Sequence, residues 1–196
     1  MSGRIEDYAL IGDCETAALV GRDGSIDWLC WPRFDSDACF AALLGDRSHG
    51  RWKIAPSAGK ASASWRYRDD SLILETTYAT SEGVARVTDF MPPRAEGSDL
   101  VRLVTGVSGR VEMVCELIIR FGYGKTLPWV VRLEEGGLSA TAGPDRVVLR
   151  TPADLTPKDM TTVAAFAVEA GETMPFVLSY SQSHLPYGPR SILPMH

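Results

Sequence analysis

The residues best suited to chemistry lie in a short run near the start of the chain, where Trp31, Arg33, Phe34 and Asp35 flank Pro32. A guanidinium, a carboxylate and aromatic faces together suit a polyol, because they supply hydrogen-bond donors, acceptors and a stacking surface. The alternative is structural: Trp28 and Phe34 are core, and Arg33 pairs with Asp35 at the surface. Composition alone favours the structural interpretation.

A predicted hairpin positions this run. Residues 14–20 are extended and largely apolar, residues 21–24 form a turn with a glycine at each end, and residues 25–31 run back. Side chains alternate between the two faces of a strand. One face of the return strand is therefore expected to carry Ile26, Trp28 and Cys30, and the opposite face Asp27, Leu29 and Trp31. Pro32 lacks a backbone donor and ends the strand, so Arg33, Phe34 and Asp35 are expected on a loop over a rigid scaffold.

The composition is that of a globular protein. The 196 residues, 45% of them apolar and 23% charged, are enough for one domain with a real core. A net charge of −5 argues against a nucleic-acid partner or an anionic membrane surface. No run of apolar residues is long enough to predict a transmembrane helix. Residues 1–7 lack the apolar segment of a secretory signal, which predicts a cytoplasmic protein.

Neither a cofactor nor a metal site is expected. The four cysteines are irregularly spaced in apolar surroundings, as buried free thiols are in a reducing compartment. No Cys-x-x-Cys pair and no histidine spacing typical of zinc ligands is present. The Gly124-Lys125-Thr126 tripeptide resembles the end of a phosphate-binding loop, but Ile119 stands where that loop needs its first glycine.

Alternation of apolar and polar residues, broken by glycine- and proline-rich turns, predicts about a dozen short strands. They begin with residues 5–11 and end with residues 174–182, and residues 100–106 and 111–120 are predicted as two separate strands. One short helix is predicted over residues 37–44, capped by Asp35–Asp37 and ended by Gly45. The pattern is typical of an all-β fold, a large antiparallel sandwich with one short helix.

The ordered set of motifs resembles the opening of bacterial glycoside hydrolase family 15 proteins, the glucoamylase-, glucodextranase- and trehalase-like enzymes. The resemblance covers residues 1–186, and its most specific motifs are Asp23-Gly24-Ser25-Ile26-Asp27-Trp28-Leu29-Cys30, Pro32-Arg33-Phe34-Asp35-Ser36, Thr88-Asp89-Phe90-Met91-Pro92 and Arg120-Phe121-Gly122-Tyr123-Gly124. One departure is visible, because Gly122 stands where the family usually has an aspartate.

The resemblance implies a super-β-sandwich that precedes a catalytic (α/α) barrel, in which the two catalytic glutamates lie. Residues 1–186 would then be a non-catalytic N-terminal domain, and residues 187–196 a tail that no longer resembles the family. The domain would brace the barrel, its partner in the parent protein, and send the loop of residues 31–35 towards the rim of its active site. The candidate residues at the rim of the glucoside site, or at the interface with the barrel, are Trp31, Arg33, Phe34, Asp35 and Tyr123. Trehalose, an α-glucan and another glucoside are all open as the substrate of the parent protein.

A free-standing carbohydrate-binding module is the alternative, with exposed tryptophans as the sugar-stacking surface. A row of coplanar rings on one sheet face would favour this alternative, whereas an apolar patch rimmed by polar groups would favour docking on a barrel. An exposed docking surface also predicts that the isolated chain forms a symmetric dimer. A complete glycosidase is disfavoured, because no pair of carboxyls roughly 5 to 9.5 Å apart can be named.

Overall fold

The computed structural model describes residues 4–57, 61–94, 97–134 and 136–186. The tail of residues 187–196 lies outside the described residues, so its predicted departure from the family stays a prediction. The described residues form strands at Tyr8–Gly12 (β1), Ala17–Gly21 (β2), Ser25–Cys30 (β3), Ala38–Phe40 (β4), Arg51–Pro56 (β5), Ser62–Tyr67 (β6), Leu74–Ala79 (β7), Gly83–Phe90 (β8), Ser98–Ile118 (β9), Trp129–Arg132 (β10), Leu138–Ala142 (β11), Asp145–Arg150 (β12), Thr156–Lys158 (β13), Thr161–Glu169 (β14) and Thr173–Gln182 (β15). Single 3₁₀ turns occur at Ile5–Asp7, Ala42–Leu44 and Arg47–His49.

The strands form two antiparallel sheets. Sheet A has the order β1-β2-β3-β5-β9-β14-β13, with β4 paired to the end of β3. Sheet B has the order β6-β7-β8-β9-β15-β12-β11-β10. The 21-residue β9 belongs to both, because its first half pairs with β8 and β15 and its second half with β5 and β14. The predicted all-β antiparallel fold is confirmed.

The core lies between the inner faces of the two sheets. Both sheets contribute fully buried side chains to one continuous cluster, which includes Ile11, Ile26, Leu29, Trp52, Ile54, Leu100, Val104, Met113, Leu149, Phe176 and Leu178. Burial of this apolar surface is the main favourable contribution to folding. None of the helices among the described residues has the length and apolar character needed to span a bilayer.

A buried ion pair crosses the core. Arg102 on β9 donates to both carboxylate oxygens of Asp89 at 2.8 and 3.1 Å. The same guanidinium donates to the carbonyl of Trp52 on β5 at 2.8 Å and to that of Gly24, in the turn before β3, at 2.9 Å. Because every one of these partners is satisfied, the pair links the two sheets without leaving an unpaired buried charge.

Two predicted elements were wrong in detail. Residues 38–40 form strand β4 against β3, with Leu29 opposite Phe40, and only Ala42–Leu44 makes a helical turn. The alanine-rich sequence favours a helix, but pairing with β3 and burial of Phe40 override that preference. The two strands predicted on either side of residues 106–109 are one strand, because a register shift leaves Val107 as an extra residue opposite Val84–Ala85.

One end of the sandwich is termed the loop end, because several connecting segments that include candidate site residues lie there. It carries the turn of residues 13–16, the loop of residues 31–37, the connection that holds Arg94, the loop of residues 119–128, and the last described residues. Some of these segments contact one another: the Tyr123 N–H donates to the carbonyl of Ala38, directly after the loop of residues 31–37, at 3.2 Å, and the Phe34 N–H donates to the Glu15 carbonyl at 3.0 Å. The last described residues join the turn between β11 and β12, where the Ser183 N–H donates to the Pro144 carbonyl at 2.7 Å.

Candidate functional site

A buried hydrogen-bond network, termed the brace, lies beneath the loop of residues 31–37 and consists of Asp13, Trp31, Arg94 and Ser98. One carboxylate oxygen of Asp13 accepts from Arg94 Nε and from Ser98 Oγ, each at 2.7 Å. The Trp31 Nε1–H donates to Ser98 Oγ at 2.8 Å, and Arg94 also donates to the Pro32 carbonyl. The brace therefore fixes the backbone from which the loop emerges.

The Asp13 carboxylate is ionised within this network. Its burial alone would raise the pKa of Asp13, but the hydrogen bonds from Arg94, Ser98 and two backbone N–H groups outweigh burial and hold the pKa below its usual value. The backbone donors are the N–H groups of Thr16 at 2.8 Å and Glu15 at 3.0 Å. A charged group with four donors is a stable anchor for the turn of residues 13–16.

Trp31 belongs to the core and not to a surface rim, which corrects the prediction for this residue. Its side chain is buried in the main core, and its ring centroid lies 6.2 Å from that of Tyr180 on β15. The sequence placed Trp31 and Leu29 on one face of the strand, and that face is the core. Trp31 thus supports the loop from below.

Arg33, Phe34 and Asp35 are on the surface, as predicted for a loop that follows Pro32. The Arg33 Nε lies 3.0 Å from Asp35 Oδ1, and the two side chains are 65% and 72% exposed. The Phe34 ring is also exposed, while its backbone N–H donates to the Glu15 carbonyl at 3.0 Å. An exposed ring beside a guanidinium and a carboxylate offers the stacking surface, donors and acceptors that sugar hydroxyls require.

The fifth candidate, Tyr123, lies on another loop of the same end. Its backbone has a left-handed φ of 59°, and its ring centroid is 6.1 Å from that of Trp28. Partial burial raises the pKa of the Tyr123 hydroxyl, and the neighbouring Cys30 and Asp37 raise it further. Among the described residues, no hydrogen bond or ring contact joins Tyr123 to the segment of residues 33–35.

Gly122 stands where the resemblance to family 15 leads one to expect an aspartate, and its surroundings show what an aspartate side chain would contact. Gly122 has a left-handed φ of 58°, and a Cβ atom there would lie 4.0 Å from Asp37 Oδ2 and 3.5 Å from Thr126 Oγ1. A carboxylate at this position would therefore face the Asp37 carboxylate, and two like charges that close disfavour each other's ionised form. Glycine removes that conflict and suits the left-handed backbone.

The brace was missed by the sequence analysis. Arg94 and Ser98 are 81 and 85 positions from Asp13, and neither lies in a pattern that signals a partner. Three of the four cysteines were predicted correctly: Cys30, Cys39 and Cys115 are buried and form no disulfide, whereas Cys14, also free, is exposed.

Comparison with known proteins is decisive for the family. A family model described as "Trehalase-like, N-terminal" matches residues 1–184. The chain belongs to this family. This trehalase-like N-terminal domain is 38% identical over 138 residues to the Trehalase of Mycolicibacterium smegmatis, covering 61% of the chain and 20% of that protein.

Two further relatives are similar to the chain. Trehalase 1 of Sulfolobus acidocaldarius is 34% identical over 132 residues, which cover 67% of the chain and 22% of the relative. The Trehalase of Thermoplasma volcanium is 28% identical over 144 residues, covering 70% and 23%. The chain therefore spans about a fifth of the length of these curated relatives.

Proposed function

We propose that the chain serves as the non-catalytic N-terminal domain of a glucoside hydrolase of the trehalase- and glucoamylase-like family 15, bracing an (α/α) barrel that holds the catalytic carboxylates. The family description and the names of the relatives support the link to trehalose or a related glucoside. The chain matches only about a fifth of each relative, which favours a domain that assists a separate catalytic part.

The observation that carries this proposal is the position of the last described residues. Ser183 is bonded to Pro144, and Tyr180 packs against Trp31, so β15 ends at the loop end. In longer relatives, the polypeptide that follows this region would start at the same end of the sandwich as the exposed Arg33 and Asp35. The loop of residues 31–37 would then lie close to the rim of a barrel that follows this domain.

The loop would bind and orient a sugar rather than cleave it. Glycoside cleavage needs two carboxyls on opposite sides of the scissile bond, roughly 5 to 9.5 Å apart. Asp35 is instead bonded to Arg33 on the surface of this domain. Arg33 as a donor, Asp35 as an acceptor and Phe34 as a stacking surface fit a positioning role.

A carbohydrate-binding module is less well supported. All five tryptophans are described, and they form no exposed row: Trp31 and Trp52 are buried, and Trp28 and Trp65 are half-buried. The Arg22 guanidinium covers the Trp65 ring at 4.6 Å. Trp129 stands alone, 77% exposed on strand β10.

We also propose a cytoplasmic location. The four cysteines are free, and three of them are buried. Burial raises the pKa of the Cys115 thiol to about 11, so this thiol is unreactive at neutral pH. Unpaired cysteines are typical of a reducing compartment.

A chimera tests the proposed function. The matching region of the Mycolicibacterium smegmatis Trehalase is replaced by this chain, and trehalose hydrolysis is compared with that of a variant lacking the region. We expect the chimera to hydrolyse trehalose faster than the deletion variant, and the 196-residue chain alone to release no glucose from trehalose or maltooligosaccharides. Hydrolysis by the chain alone, or a folded chimera no better than the deletion, would contradict the proposal.

A further inference from the structure

The edges of the two sheets are protected to different extents. On β1, the Tyr67 hydroxyl donates to the Leu10 carbonyl and accepts from the Leu10 N–H, both at 2.9 Å. On β13, Pro157 and Lys158 occupy the edge strand, and the exposed positions of β6 are mostly polar. A capping side chain, a proline and charged or polar residues are all known devices against edge-to-edge pairing.

Strand β10 has fewer of these devices: Arg132 is its single charged residue, and Pro128 lies just before the strand. It forms the last strand of sheet B, and no described strand pairs with its outer edge. All four of its residues are exposed, and three of them, Trp129, Val130 and Val131, are apolar. Its register with β11 runs without a bulge, so the edge is straight. A straight, apolar, unpaired edge is a template for another strand.

The backbone groups that face outward can be assigned. The Leu133 N–H donates to the Gly137 carbonyl at 3.1 Å, continuing the β10–β11 register in which Arg132 lies opposite Leu138. Bonded pairs alternate in an antiparallel ladder, so Val131 and Trp129 also direct their N–H and C=O groups to β11. The N–H and C=O groups of Val130 and Arg132 therefore point away from the sheet.

The side chains beside this edge form a self-complementary stripe. Strand alternation places Trp129 and Val131 on one face of β10, and the Leu133–Gly137 hydrogen bond continues the ladder, so Leu133 lies on the same face. Trp129 and Val131 are exposed, and Leu133 is half-buried. An antiparallel copy centred on Val130 would place Trp129 opposite the partner's Val131, and Val131 opposite the partner's Trp129.

We propose that two copies of this chain pair through β10 about a two-fold axis at Val130, joining their B sheets into one. Val130 exchanges two hydrogen bonds with the partner's Val130, and each Arg132 N–H donates to the carbonyl of the partner's Pro128. Pro128 has no N–H to return, so the ladder stops there. This pairing is independent of the function proposed above.

The side-chain pairs that each register creates decide which residue lies on the two-fold axis. Centring on Val131 would set the apolar Val130 opposite the partner's charged Arg132. Centring on Val130 sets Val130 opposite the partner's Val130 and Trp129 opposite the partner's Val131, which are favourable aliphatic and aromatic–β-branched cross-strand pairs. Such a short interface buries less than the ~1,200 Å² of a standard stable complex, so the dimer is expected to be reversible.

The first experiment measures the mass of the full 196-residue chain by sedimentation equilibrium over a wide concentration range. We expect a reversible dimer, weakened at least tenfold by Val131→Lys, which puts a charge into the stripe. Val107→Lys is the matched control, because Val107 is 45% exposed, Val131 is 48% exposed, and Val107 lies on a bulge in β9. Circular dichroism would confirm that both variants fold.

Hydrogen exchange tests the same model without mutation. Amides of Val130 and Arg132 should become protected as protein concentration rises, whereas the Val131 amide, bonded to β11, should be protected at every concentration. A strict monomer at the highest concentration, or a dimer indifferent to Val131→Lys, would overturn the proposal. A monomer with Val130 and Arg132 already protected would also overturn it, since the edge would be covered from within one chain.

Discussion

Two arginine–aspartate pairs at the loop end have the same chemistry and opposite surroundings. Arg94 and Asp13 are 2.7 Å apart beneath the surface, with the Asp13 side chain fully buried. Arg33 and Asp35 are 3.0 Å apart, and both side chains are mostly in solvent. The buried Arg94–Asp13 pair supports the motif of residues 31–36 from below, whereas the Arg33–Asp35 pair belongs to the motif and is exposed to solvent.

Environment sets what each pair contributes to stability. Breaking a buried, hydrogen-bonded pair leaves a charge in a low-dielectric site, which costs about 3–5 kcal/mol. An exposed pair contributes about 0–1 kcal/mol, because water and salt screen it. We therefore expect the brace to determine stability, and the Arg33–Asp35 pair to be free to serve recognition.

The largest expected effect is on the brace. Asp13→Ala should lower the free energy of unfolding by about 3–5 kcal/mol, since Arg94 and Ser98 lose their shared acceptor. The matched variant, Asp35→Ala, should cost no more than about 1 kcal/mol. Urea denaturation of the two variants measures both values, and equal losses would remove the contrast between the pairs.

The second prediction concerns pH. The pKa of Asp13 is lower in the folded chain than its usual value, so its contribution is complete above the unfolded pKa of about 3.9 and is lost as pH falls through the folded pKa. Wild-type stability should decline below about pH 4 more steeply than that of Asp13→Asn. Glu75 and Asp23 also have lowered pKa values, so the variant keeps part of the slope. Parallel stability curves would show that Asp13 is not the anchor.

A smaller effect is expected at Trp31. Trp31→Phe removes the Nε1–H donor to Ser98 and some buried volume, at a cost of about 1–2 kcal/mol. Trp129→Phe is the control, because Trp129 is exposed and should change stability by about 0.5 kcal/mol or less. Thermal unfolding of both variants distinguishes a supporting tryptophan from a surface one, and similar melting temperatures would argue against the brace.

The sequence predicted most strands because local alternation and turn residues determine them. It failed where a distant partner decides the outcome. Residues 38–40 look helical until β3 is beside them, and β9 looks interrupted until β8 accommodates the extra Val107. The resemblance to family 15 located the motif of residues 32–36, but only the fold shows that its support comes from Arg94, 81 positions away from Asp13.

The last prediction concerns Arg33, where a small change in the stability of the domain is expected together with a larger change in activity. In the chimera described above, Arg33→Ala should change the domain's unfolding free energy by no more than about 1 kcal/mol, since its ion pair is exposed. If the loop reaches the glucoside site, kcat/KM for trehalose should fall at least tenfold, about 1.4 kcal/mol of lost transition-state stabilisation.

Arg110→Ala is the matched control for this variant. Arg110 forms exposed ion pairs with Glu112 at 2.9 Å and Glu169 at 3.2 Å, at the end of the sandwich opposite the loop end. Its removal should leave kcat/KM unchanged, because no contact of this arginine faces the loop of residues 31–37. An equal loss of activity in both variants would indicate a general effect of surface charge. Unchanged kinetics in Arg33→Ala, with a marked drop in melting temperature, would show that Arg33 only holds the loop together.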